Sequence, residues 1–206
     1  LTGLEWAAGM PGTIGGAVFG NSGAFWRSMK DVVKNVEVLD AKSLKTKKIL
    51  IKEIEFSNKD SVFKRKKNLI ILSATIKLEK GVRKEIKEKI KEYLNYRKEK
   101  HPLNFPSAGC VFKNYVPEIK NPKLLKDFPE LAEFSKKGRI PVAFLVEKCG
   151  LKGKKIGKAK FSEKHANFII NLGGAKSNDV LKLIKLAKEK VKNKFGITLE
   201  EEIQVL

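Results

Sequence analysis

Residues Gly3–Phe25 read GLEWAAGMPGTIGGAVFGNSGAF. From Trp6 to Trp26 there is no charge at all, a length that would cross a bilayer. Gly12, Gly16 and Gly20 even repeat at the small-residue spacing of packed membrane helices. Pro11, Thr13, Asn21, Ser22 and the many glycines make the stretch too polar and too flexible for that role. Loops with short helical or extended pieces are the expectation, and no membrane partner. Backbone this rich in glycine lets a flat or phosphorylated ligand approach closely. A plain set of turns would read the same way.

Outward from this stretch, Val36 to Leu39, Ile49 to Ile51 and Leu69 to Glu79 read as strands. The charged run Phe63 to Lys67 reads as a loop. Val82, Ile86, Ile90 and Leu94 recur at every fourth position, predicting a helix over 82–98 that Pro102 and Pro106 close off. A second domain is expected to begin near residue 80, at Gly81, dividing the chain into 1–80 and 81–206. Cys110 to Phe112 reads as a short strand, and Pro141 to Lys148 as a short helix capped by Gly150. His165 to Leu172 reads as a strand. Ser177 or Asn178 starts a helix with Val180, Ile184, Ala187 and Val191 on one face, stopped by Gly196. Ile203 to Val205 would be a closing strand. Strands and helices mixed in this order predict an α+β chain.

The formal net charge of +21 makes nucleic acid the first partner to test. Only Arg27, Arg65, Arg83, Arg97 and Arg139 carry the guanidinium fork that reads bases and grips phosphate, and the lysines are spread along the whole chain. A solvated lysine-rich surface accounts for the charge, and a nucleic-acid partner is not expected. Cys110 and Cys149 sit in unrelated contexts, so neither a disulfide framework nor a metal motif is expected, and a reducing, cytoplasmic setting fits. No signal peptide is visible. With two histidines, a histidine-based metal site is not expected either.

Three further segments hold residues suited to chemistry. PSAGCVFKN, Pro106 to Asn114, places a thiol after Ala-Gly; in an extended strand Cys110 and Phe112 share a face and Lys113 points away. Taken alone, Cys110 reads more readily as a small core hydrophobe. In GLKGKKIGKAKFSEKHANFIIN, Gly150 to Asn171, His165 and Asn167 would share one face of a strand. In LEEEI, Leu199 to Ile203, three adjacent carboxylates read as a solvated edge unless one points inward.

These four segments, in this order and spacing, closely resemble the UDP-N-acetylenolpyruvoylglucosamine reductase family, in its branch with the shorter substrate domain. The runs DSVFK (Asp60 to Lys64), LSAT (Leu72 to Thr75) and FGI before LEEEI add to the match. The resemblance implies a partial FAD-binding domain of the vanillyl-alcohol-oxidase type, followed by a small α+β substrate domain whose final strand returns toward the active site. It implies FAD and NADPH as cofactors. The implied substrate is UDP-N-acetylglucosamine enolpyruvate, reduced to UDP-N-acetylmuramate for peptidoglycan synthesis. A monomer is the expectation. Cys110 stands where the family has its proton-donating Ser or Cys; an ordinary thiol, with a pKa of roughly 8.5, is mostly protonated at neutral pH. Glu202 matches the catalytic Glu. Lys98, Asn114 and His165 lie where the family contacts the sugar nucleotide, and Pro11, Gly12, Thr13, Gly16, Asn21 and Gly23 lie in its FAD-lining segment.

The chain departs from the family in two places. Before DSxFK the family has Tyr-Arg, with the Arg placed to stabilise the enolate, and this chain has Asn58-Lys59. Lys59 keeps the charge and loses the planar fork, and losing one such donor costs on the order of a hundredfold in rate. The match also starts inside the flavin domain, so the chain is expected to be a fragment, a truncated gene product, or one whose missing part a partner chain supplies. Two alternatives to the reductase therefore stand: an inactive relative that binds the sugar nucleotide or a partner protein, and a basic nucleic-acid-binding protein.

Overall fold

The computed structural model describes residues 1–116 and 119–205. The fold is α+β, and the chain separates into two compact units, Leu1–Arg97 and Lys98–Leu206.

In the first unit, helix α1 (Ile14–Phe19) leads to the two-residue strands β1 (Gly23–Ala24) and β2 (Arg27–Ser28). Strand β3 (Val33–Asp40) follows, then β4 (Lys45–Leu50), the helical turns α2 (Ile51–Ile54) and α3 (Val62–Arg65), and β5 (Leu69–Ile76). The three long strands form an antiparallel sheet in the order β4-β3-β5. Alternation decides which strand is central. Val33, Val36 and Val38 of β3 are buried, whereas β4 buries only Ile49. Trp6, Val18, Met29, Ile54 and Phe63 complete this core. Residues Phe63 to Lys67, expected as a loop, lie largely in α3, because the Ser61 hydroxyl accepts from the Phe63 N–H at 3.3 Å and starts a turn. Ile51, expected at the end of a strand, opens α2.

Helix α4 (Arg83–Lys100) was expected to open the second domain, yet most of it packs within the first unit. The buried Arg97 is the reason. Its Nε donates to the Ala8 carbonyl and its guanidinium to the Trp6 carbonyl, each at 2.9 Å. Tyr93 stacks on Phe25 at 4.1 Å between ring centroids. The division therefore falls at Arg97/Lys98 rather than near residue 80.

The second unit holds β6 (Ser107–Cys110), α5 (Pro122–Asp127), α6 (Glu130–Lys136), α7 (Val142–Lys148), β7 (Lys155–Ile156), β8 (Ala159–Phe161), β9 (Phe168–Asn171) and α8 (Ser177–Phe195). Its antiparallel sheet runs β6-β9-β8-β7. Helix α8 buries Leu183, Ile184, Ala187, Val191 and Phe195, the helical period read from the sequence. It ends at Gly196, whose φ of +69° is the left-handed conformation a C-terminal cap requires. Phe112, Leu131, Ile140, Leu145, Leu151 and Phe161 fill the core beneath it. Among the described residues no helix is long and apolar enough to cross a membrane, and no group of three or more His, Cys, Asp or Glu could hold a metal.

Candidate functional site

Cys110 is the last residue of β6 and pairs with Phe168 on β9. Beyond it the strand pairing changes hands. The Val111 N–H donates to the Asn167 carbonyl at 2.8 Å, the Lys113 N–H to the Glu200 carbonyl at 2.9 Å, and the Glu202 N–H back to the Val111 carbonyl at 2.8 Å. The carboxy-terminal segment is thus joined to the residue that follows Cys110. The expected strand Ile203 to Val205 is not formed. The pairing is an isolated bridge between Phe112 and Glu201, because the chain turns away at Ile203.

The three adjacent carboxylates separate by partner. Glu200 pairs with the Lys113 ammonium, and Glu201 pairs with Lys188 of α8 at 2.5 Å. Glu202, half-buried, is the one whose own backbone amide reaches Val111, beside the half-buried Cys110.

Asn114 continues the same segment. Its Oδ1 accepts from the Val142 N–H at 3.2 Å and satisfies an open donor at the start of α7. His165 is half-buried in a turn, one of the places where the expected strand from His165 gives way to β9 at Phe168. The cause is local. The Ser162 hydroxyl accepts from the Lys164 and His165 amides at 3.1 and 3.3 Å, and His165 Nδ1 accepts from the Asn167 N–H at 3.3 Å. Burial holds the His165 pKa below its ordinary value, and a hydrogen bond to its own carbonyl offsets only part of that. Its ring meets His101 edge-on at 5.6 Å and Phe168 at 4.9 Å. A ring biased toward the neutral form suits a polar contact better than an ion pair. Lys98 is exposed at the end of α4, and its carbonyl accepts from Lys164 Nζ at 3.4 Å.

The other candidate residues lie in the first unit, where the glycine-rich segment is laced to residues 57–61. Ser61 Oγ donates to the Phe19 carbonyl at 2.7 Å, Asn21 Nδ2 to the Ser57 carbonyl at 2.7 Å, and Lys59 Nζ to the Gly23 carbonyl at 3.1 Å. Asn21 Oδ1 also accepts from the Lys30 N–H at 3.1 Å, so this buried amide braces the loop from both ends. Lys59 has a φ of +55°, and its carbonyl accepts from Lys64 Nζ at 2.7 Å. Thr13 caps α1 by accepting from the Gly16 N–H at 3.1 Å. Pro11 and Gly12 are exposed ahead of it. A Cβ placed on Gly12, at φ +116°, would meet nothing within 4 Å.

The same unit has a cleft of about 390 Å³ walled by Trp6, Phe25 and Tyr93, with Glu5, Arg27 and Lys77 among its charged lining. None of the candidate residues lines it. Burial would raise the pKa of Glu5, but hydrogen bonds from the Thr2 hydroxyl and from the Glu5 and Gly3 amides outweigh it and hold the carboxylate low. Sequence reasoning passed over Glu5, Arg97 and Asn167 as functional supports. Apart from the Thr2 hydroxyl at Glu5, the described hydrogen-bond partners of their side chains are backbone groups, which leave no pattern in side-chain identity.

Residues 101–206 match the family described as UDP-N-acetylenolpyruvoylglucosamine reductase, C-terminal domain. The whole chain is 44% identical to the UDP-N-acetylenolpyruvoylglucosamine reductase of Fervidobacterium nodosum, covering 59% of that protein. It is also 44% identical to the one from Caldanaerobacter subterraneus subsp. tengcongensis, covering 60% of it. The crystal structure of UDP-N-acetylenolpyruvylglucosamine reductase from Thermus caldophilus superposes with a TM-score of 0.74 at 30% identity, over 99% of this chain and 64% of that one. The chain thus spans about three-fifths of the length of the curated relatives it matches.

Proposed function

The chain belongs to the UDP-N-acetylenolpyruvoylglucosamine reductase family, and from that membership we propose that it serves the reduction of UDP-N-acetylglucosamine enolpyruvate to UDP-N-acetylmuramate, a cytoplasmic step of peptidoglycan precursor synthesis. The enol-ether double bond gains a hydride at its terminal carbon and a proton at the carbon that bears the carboxylate. FAD, once bound and reduced by NADPH, would supply the hydride. Pro11, Gly12, Thr13 and Gly16 would lie along this cofactor, with Asn21 and Gly23 fixing the loop. The open backbone at Gly12 fits close approach by a flat or phosphorylated group. On this reading Leu1–Arg97 contributes to the vanillyl-alcohol-oxidase-type flavin domain and Lys98–Leu206 to the substrate domain.

Cys110 is the proposed proton donor to the carboxylate-bearing carbon. Glu202 assists it from the adjoining backbone, and Lys59 supplies positive charge for the enolate-like intermediate. Lys98, Asn114 and His165 hold the sugar nucleotide. The observation that supports the reading is the bond from the Glu202 N–H to the Val111 carbonyl, which joins the backbone of the candidate carboxylate to the residue that follows the candidate thiol. The test is flavin reoxidation in the full-length protein. After reduction by NADPH, the sugar nucleotide should restore the oxidised spectrum, and Cys110→Ala should stop it. Restoration at an unchanged rate in Cys110→Ala would remove the assignment.

One observation favours a second reading, a relative that binds the sugar nucleotide without turnover. Lys59 brings one ammonium where the family has a guanidinium, and that ammonium already donates to the Gly23 carbonyl.

A further inference from the structure

Asn167 is 2% exposed, and its side chain does what a neighbouring strand would do. Its Oδ1 accepts from the Phe112 N–H at 3.0 Å, and its Nδ2 donates to the Phe112 carbonyl at 2.8 Å. Its own carbonyl accepts from the Val111 N–H at 2.8 Å. Three of the four polar groups of the Val111–Phe112 backbone are therefore held by one residue. The orientation of the amide is forced, since an N–H needs an acceptor and a carbonyl needs a donor. The last pair of the β6–β9 ladder is Cys110 with Phe168, so the two bonds to Phe112 come from the Asn167 side chain and not from the ladder.

The held segment has Cys110 before it and Asn114 after it. Its remaining carbonyl, on Val111, is the one that receives the Glu202 N–H. We propose that Asn167 is a positioning residue, an amide clamp on Phe112 that sets the backbone shared by Cys110 and Glu202. The inference rests on the reductase reading for its purpose, not for its geometry. Burying an amide in this way requires both its polar ends to be met, and no aliphatic or hydroxyl side chain meets both a donor and an acceptor of one residue at this length. Packing alone would be served by Leu or Met. His165 Nδ1 accepts the Asn167 N–H, so the clamp and the proposed substrate contact form one turn.

The test uses this chain carrying Cys149→Ser, so that Cys110 is the single thiol, and needs neither cofactor nor turnover. Two quantities are read in Asn167→Ala: amide exchange by NMR, and the pH profile of Cys110 alkylation by iodoacetamide. The clamp predicts exchange at the Phe112 and Glu202 amides faster by about tenfold or more, with Ile170 and Val191 unchanged, and an altered alkylation profile. Asn167→Asp adds a directional control. Its carboxylate still accepts the Phe112 N–H but opposes the Phe112 carbonyl, so the segment should loosen at neutral pH and tighten as the acid is protonated. A lower melting temperature with the alkylation profile and the Glu202 exchange unmoved would show a merely structural residue and overturn the proposal. Failure of flavin reoxidation in the full-length protein, with these readings as predicted, would count against the reductase reading and leave the clamp standing.

Discussion

The Glu202 amide donates to the Val111 carbonyl at 2.8 Å, which fixes the last acidic run of the chain against the residue next to Cys110. The carboxylate can be altered without touching this bond, because the bond is made by backbone. Glu202→Gln should therefore keep the fold and lower kcat by about a hundredfold or more, with a smaller change in KM. Circular dichroism and steady-state kinetics of the full-length protein check both halves.

Lys59 can be tested in two directions. On the proposed reading, Lys59→Ala should cost roughly a hundredfold in turnover by removing the charge assigned to the enolate-like intermediate. Lys59→Arg restores the fork of donors and should turn over at least as fast as the native protein. A slower Lys59→Arg variant would mean that the bond to the Gly23 carbonyl, and not the charge, is what the position provides.

His165 predicts a pH dependence of stability. Burial lowers its pKa in the folded state below the ordinary 6.5. Between that lowered value and 6.5 the unfolded chain binds a proton that the folded ring refuses, so stability rises with pH across this window. It falls as pH drops below 6.5 and stops falling, for this group, once the folded pKa is passed. Melting temperatures from pH 7.5 to 5 should fall more steeply for the native chain than for His165→Gln.

Gly23 sits where a side chain cannot. A Cβ there would lie 2.5 Å from the Arg27 carbonyl oxygen and 2.7 Å from the Ser28 Cβ, across the tight turn in which Phe25 and Trp26 take positive φ. Gly23→Ala should destabilise the first unit by about 1–3 kcal/mol through overpacking, measured by urea denaturation.

Regular elements with a strong period were legible before any coordinates. The buried face of α8 and its stop at Gly196 follow from spacing and a single glycine. The short helices α5 and α6 were not legible, since six or seven residues carry too little period to be seen. That the first compact unit runs on to Arg97 was not legible, because Arg97 reads as a surface cation until its carbonyl partners, Trp6 and Ala8, are folded beside it. The site was legible as a set of candidates. That Glu200 pairs with Lys113 and Glu201 with Lys188 was not, for these lysines reach their partners only through tertiary structure. The Asn167 clamp joins residues 55 positions apart and has no local signature.

The central claim is most directly tested by the visible absorption of the full-length protein. The account predicts a bound flavin whose band is bleached by NADPH and restored by UDP-N-acetylglucosamine enolpyruvate. A protein that stays colourless with added FAD, or one bleached by NADPH and not restored by the sugar nucleotide, would contradict it.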